Sequence, residues 1–488
     1  MIKNKSILPV QEIRNHHPFY NAYDTDEEYA RFGTIILKVI RNCRIPDIND
    51  DQCTAMATML TMYTEDVVAD LGIWRGFTDK MKSLYGRYLP FYDIDETTYL
   101  RDEPNVEDVT YLLWFALYRT NSQLVINPGL PLLHSLAVAL YSYISERFET
   151  LPINEELKDM LAKGNYTDDF YHQRDFIKWI WMDCYLTAHP AAKMALLQDA
   201  KTYCDLLHCE LVNGCYTAEC ALPYTMWTGP LSVLPQEYLG MILRANGREK
   251  DAEKVEKQEF RPVNLYRVEK AVTNKSMTLV CDDGTRLDLT DDGLCSPGED
   301  KYESKAMEGV FVKYDGQWYV NGNSAWSKDA LPEQEQPKKR STKKKHLPHH
   351  DELMEESKGV PFFYFDSVAA CKRFIMERME IAEKNIAIPA NVRDAVLFLP
   401  KEGTEYAVLH NMTRCFKDER NPYYDEEFAR KHALAAAFSM PGEALHYAID
   451  HDMLPDAAFN STISFEQGRE LLQGNFDYMA RLVMGDKY

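Results

Sequence analysis

MLTMYTEDVVADLGIWRGFTDKMKSLYGRYLPFYDIDETTYLRDEPNVEDVTYLLWFALY, residues 59–118, carries the densest apolar and aromatic spacing in the chain. Within it Met59, Tyr63, Val67, Leu71, Trp74, Met81 and Leu84 recur at helical steps with Phe77 beside them, the pattern of a face buried against other helices. Gly72 and Gly86 punctuate the run, an aromatic cluster spans Tyr85 to Tyr92, and Tyr111-Leu112-Leu113-Trp114-Phe115 lies in a further helix. The stretch predicts a helical core and carries no reaction signature.

Outward from it the helical reading continues. Asn105 is placed to cap a helix over Val106 to Arg119, Pro131 stands at the first turn of another reaching Phe148, and Thr167 is read as the cap of a third ending near Ala188. On the N-terminal side His16-His17-Pro18-Phe19-Tyr20 reads as a break before a helix that runs to about Asn42, Pro46 ends that region, and Asp47 to Asp51 supply the helix-start carboxylates of the next. Residues 1–255 are therefore expected to form a helical domain. From Phe260 the pattern shifts to short β-prone runs, with Asp283-Gly284 and Asp315-Gly316 as hairpin turns. These predict a small SH3-like antiparallel β barrel over residues 261–327. Residues 328–358 read as a charged flexible linker, with six cations among the eight positions Lys338 to Lys345. A C-terminal α+β domain is expected over 360–488: a strand at Pro361–Phe365, a helix from Ser367, a hairpin across Lys401-Glu402-Gly403, and helices from Asp425 and Pro441. The fold class is multidomain and mainly α.

The 488 residues exceed what one hydrophobic core usually organises. Fifty-five Lys plus Arg face 76 Asp plus Glu, a formal charge of −21 that repels a phosphate backbone over most of the surface. Nucleic acid is expected only through the basic linker. The N-terminus shows no apolar signal core, and no run approaches the roughly 20 apolar residues of a bilayer crossing. A cytoplasmic protein with no membrane contact is the expectation. Eleven scattered cysteines suit reduced thiols better than a disulfide framework.

Four constellations carry possible chemistry. Cys204, His208, Cys209, Cys215 and Cys220 place five soft ligands within 17 positions, but their gaps differ from the tight Cys-x₂₋₄-Cys knuckle, and buried thiols acting as small apolar side chains explain them as well. Asp168, His172 and Asp175 share one helix face and form a metal-ligating set, against the plainer reading of dipole-complementing and solvated groups. Glu65, Asp66 and Asp70 beside Trp74 offer carboxylates for acid–base work or a cation, against a solvated face of an acidic helix. His346, His349, His350 and Asp351 follow Lys338, Lys339, Arg340, Lys343, Lys344 and Lys345; here a metal or an anionic partner competes with a solvated tether. No Walker loop, Rossmann fingerprint, nucleophile elbow or HExxH appears.

The segment Met62 to Phe115, the run EGVFVKYDGQWYVNG, and RCFKDERNPYYDEEFARKHALAAAF with MLPDA resemble an uncharacterised family of gut Bacteroidota known only as a domain of unknown function. The resemblance implies a cytoplasmic bacterial protein and assigns no catalytic residue. The expectation is a non-enzymatic interaction or scaffold protein acting on another cytoplasmic protein. The alternatives are a metal-dependent enzyme on Cys204–Cys220 or Asp168, His172 and Asp175, and a nucleic-acid-associated factor using the basic linker.

Overall fold

The computed structural model describes the chain except residues 1–6, 44, 46–47, 121–126, 273–275, 282–283, 291–304, 328–345, 390, 455–469, 473 and 486–488. Pro46, Asp47, Asp283 and the basic run Lys338–Lys345 thus lie outside the described residues. Two compact units emerge, Met1–Leu124 with Leu130–Pro337, and Val125–Gly129 with Lys338–Tyr488.

The first unit begins with α1 (Val10–Arg14), α2 (Asp26–Asn42), α3 (Asp50–Ala69), α4 (Ile73–Tyr85), α5 (Val106–Thr120) and α6 (Pro131–Phe148). It continues through α7 (Glu155–Lys163), α8 (Phe170–Met182), α9 (Ala192–Leu207), α10 (Leu211–Ala221), α11 (Pro235–Ala245) and α12 (Glu249–Glu256). Asn49 and Gln52 form a reciprocal capping box that starts α3, satisfying two backbone donors left free at a helix N-terminus. Asp70 at φ 53° and Gly72 at φ 86° end it, so the run read as one face is two helices meeting at a left-handed break. Helix α3 is buried nearly all round, as a central helix must be, while α4 presents Trp74, Phe77 and Met81 inward. Leu84, expected on that face, is exposed. Asp169, not Thr167, caps α8 by accepting from the His172 amide, and the helix stops at Met182.

Strands β1 (Glu259–Val272), β2 (Ser276–Val280), β3 (Arg286–Thr290), β4 (Ala306–Tyr314) and β5 (Gln317–Ser327) close a barrel in the order β1-β2-β3-β5-β4. Asp315 at φ 50° and Gly316 at φ 81° make the expected two-residue hairpin between β4 and β5. The barrel is mixed rather than wholly antiparallel, because closure pairs β3 parallel to β5 at Leu289 and Trp318. Its inward residues include Tyr266, Leu279, Leu287, Phe311 and Val320. Helices and barrel, read as separate domains 1–255 and 261–327, pack as one unit. Asn321 donates to the Cys220 carbonyl at 2.8 Å, the Tyr314 hydroxyl donates to the Thr167 carbonyl, and Phe170 stacks on Tyr319 at 4.6 Å.

In the second unit, α13 (His350–Glu356) falls inside the stretch read as a flexible linker. Leu353 is its reason, being fully buried beside partly buried Leu347 and Met354. The unit continues with β6 (Phe362–Phe365), α14 (Val368–Arg378), β7 (Ala395–Phe398), β8 (Ala407–His410), α15 (Glu426–Ala437), α16 (Gly442–Asp450) and α17 (Phe476–Met484). Strand β7 is central in an antiparallel sheet ordered β6-β7-β8. Its alternate side chains serve two cores: Ala395 and Leu397 pack with Leu353, Cys371 and Ile375, while Val396 and Phe398 pack with Ala444, Leu445 and Met484.

Candidate functional site

The carboxylates in the opening stretch are not a solvated face, because Glu65 and Asp66 are buried. Glu65 accepts from His17 Nε2 at 2.9 Å and from Asn154 Nδ2 at 2.7 Å. Burial opposes a charge on His17, but Glu65 and Asp26 outweigh it and raise the imidazole pKa. Asp66 accepts the Ile73 and Trp74 amides at 3.2 and 2.6 Å, so it caps α4 from the preceding helix. Asp108 accepts the hydroxyls of Tyr63 and Tyr99 at 2.7 and 2.8 Å. Burial pushes the pKa of Asp66 and of Asp108 up to about 6, with these donors pulling the other way. The three side chains hold the core together; Asp70 is exposed and pairs with Arg75.

Beside this core lies an open cleft of about 500 Å³, lined in part by Glu12, His16, Asp51, Thr54, Arg119 and Tyr185. Arg119 donates to the Tyr185 carbonyl at 2.8 Å and the Ala188 carbonyl at 2.6 Å, and among the described residues it pairs with no carboxylate. Burial lowers its pKa to about 10, so it stays cationic at neutral pH. Burial also drives His16 down to about 4, leaving it neutral and facing the Asp183 carbonyl through Nδ1. The His16–Tyr20 segment, read only as a break, crosses the end of α8: Trp179 donates to the His16 carbonyl at 2.8 Å and Tyr20 to Asp183 at 3.0 Å. From the sequence, none of the cleft's residues was read as a site residue: His16 was part of a break, Asp51 a helix-start carboxylate and Met59 a core position. The available signal was Arg119, a cation following the apolar run Tyr111–Leu117 in the last turn of α5.

The cysteine set is dispersed. The Cys204 thiol donates to the Cys209 carbonyl at 2.6 Å, His208 is the exposed left-handed cap of α9, and Cys220 is buried where α10 meets the barrel. The ten described cysteines are free. Asp168 and His172 are exposed, and Asp175 pairs with Lys178 at 3.4 Å and Arg174 at 3.7 Å. Neither set brings three ligand atoms within 4.8 Å of one another; among the described residues only His346, His350 and Asp351 do. His349 instead faces Glu352 and Glu380.

The hairpin α9–α10 carries a different feature. Met194 and Leu197 are each 70% exposed, Val212 67% and Leu211 59%, the highest values for large apolar side chains among the described residues. The family described as Protein of unknown function (DUF3843) matches residues 7–283 and 303–485. The chain belongs to this family. No curated protein and no solved structure matches it. Membership in DUF3843 covers the helical array, most of the barrel and nearly all of the second unit, so the cleft, the α9–α10 hairpin and the His346–Asp351 group all fall within the family's extent.

Proposed function

We propose that this DUF3843 member is a non-enzymatic interaction protein that docks another cytoplasmic protein on the α9–α10 hairpin. The observation carrying this reading is the exposure of Met194, Leu197, Leu211 and Val212 on two adjacent helices. Large apolar side chains left open to solvent on one hairpin favour a protein partner there, and Met adapts to irregular partners. The surrounding acidic balance disfavours nucleic acid as that partner, and no described helix is long and apolar enough to cross a membrane.

The test is affinity capture from source cells with the full chain and with Met194→Lys/Leu197→Lys. Both positions are solvent-facing, so the double variant should melt as the parent does. Loss of a stoichiometric partner from the variant is the expected result; an unchanged set of captured proteins overturns the proposal.

A second reading rests on Arg119. A cationic side chain that pairs with no carboxylate among the described residues, in a cleft of that size, suits a small ligand bearing one carboxylate, while Glu12 and Asp51 on the lining discourage polyanions. Thr54→Trp fills the cleft and should abolish any such binding.

A further inference from the structure

The segment that precedes α13 is held against the turn joining β7 to β8. The Leu347 amide donates to the Gly403 carbonyl at 2.7 Å, and His350 Nε2 lies 2.9 Å from the Pro400 carbonyl. His350 is buried while His346 and Asp351 remain open to solvent. His349 between them takes the left-handed φ of 56°, which re-aims the chain at the start of the helix.

We propose that His346 Nε2, His350 Nδ1 and Asp351 Oδ1 form a binding site for a divalent transition metal of the zinc class. The three ligand atoms lie within 4.8 Å of one another. Asp351 Oδ1 stands 3.2 Å from His350 Nδ1 and 3.7 Å from His346 Nε2. Zinc bonds of about 2.0–2.2 Å at tetrahedral angles separate ligand atoms by about 3.3–3.6 Å. The spacing therefore suits zinc with a small closure at His346.

The surroundings match what a ligating histidine needs. An imidazole that donates one N–H to a backbone carbonyl presents its other nitrogen as a lone pair, and the Pro400 carbonyl fixes His350 in that tautomer, with Nδ1 toward Asp351. The two rings are nearly perpendicular, 87° apart with centroids at 5.1 Å, so they approach a common point from different directions. Space at that point depends on Gly403. A Cβ there would sit 2.4 Å from His346 Nε2 and 2.8 Å from His350 Nδ1, and the residue has φ +63°. Two neutral histidines and one carboxylate leave a net positive site with a divalent ion, open to water at the fourth position. A solvent-facing fourth position allows either a structural clasp on the turn or a Lewis-acid centre.

The experiment uses the full chain, stripped with a chelator and titrated with Zn²⁺ by calorimetry, with Mg²⁺ as the control. Cobalt substitution reads the geometry through its visible spectrum. One Zn²⁺ per chain and no heat with Mg²⁺ are expected. Asp351→Asn and His346→Ala, both at exposed side chains, should each weaken Zn²⁺ binding at least tenfold with unchanged melting of the metal-free chain. Gly403→Ala should weaken it as well. Absence of stoichiometric Zn²⁺ binding overturns the proposal. Stoichiometric binding that survives both Asp351→Asn and His346→Ala overturns it equally and moves the metal to other ligands such as Cys204–Cys220.

Discussion

The Tyr185 hydroxyl donates to the Asp66 carboxylate at 2.8 Å while the Tyr185 carbonyl receives Arg119 at the same distance. One residue thus joins the capping carboxylate of α4 to the floor of the cleft, so core stability and cleft geometry are coupled. Tyr185→Phe removes only the hydroxyl and should cost about 1–3 kcal/mol, because a buried carboxylate loses a donor. Denaturant unfolding measures this; a change within error would show that Asp66 does not depend on Tyr185.

Asp108 gives a pH signature. Its folded pKa of about 6 lies above the ordinary 3.8, so its stabilising contribution is complete below about 3.8 and is lost as pH rises through about 6. Compared with Asp108→Asn, which cannot titrate, the parent should lose stability across that interval. Parallel stability curves for the two proteins would contradict the burial argument.

The His17–Glu65 pair has the same sign on a different group. A raised histidine pKa contributes stability that is full below about 6.5 and fades as pH climbs through the folded value. His17→Ala leaves Glu65 buried with Asn154 alone and should cost roughly 3–5 kcal/mol at pH 6, less at alkaline pH. Thermal melts at several pH values decide it.

Trp74 is almost wholly buried and contacts Tyr63, Phe77 and Tyr111 at ring separations of 5.3, 5.2 and 5.9 Å. Trp74→Ala should destabilise the first unit by roughly 3–5 kcal/mol through the cavity it leaves. Full stability with lost partner capture would instead make this aromatic group part of a recognition surface.

Periodic and local signals were readable from the sequence. The 3.6-residue spacing located the helices around Trp74 and Trp114, Asp315-Gly316 located its hairpin, and Lys401-Glu402-Gly403 marked the hairpin between β7 and β8. What escaped depends on partners distant in sequence. Glu65 looked like one more carboxylate on an acidic helix because His17 and Asn154 lie 48 and 89 positions away. The helix after His349 escaped because a few apolar residues, Leu347, Leu353 and Met354, are sparse among charges. The parallel edge between β3 and β5 follows from closure, which no local pattern encodes. The His346–Asp351 group was visible as residues, but its convergence depends on the turn at Pro400 and Gly403, about fifty positions downstream.

The barrel's attachment through side chains of its own strands has a consequence for how this protein can be cut. The amides of Asn321 and Asn323 and the hydroxyl of Tyr314 complete backbone carbonyls at Cys220, Asn213 and Thr167. A fragment ending near residue 255 would present those carbonyls, and the face of Phe170, to water. The barrel is consequently a lid that the helical array cannot shed, and the smallest portable piece of this half of the molecule includes both.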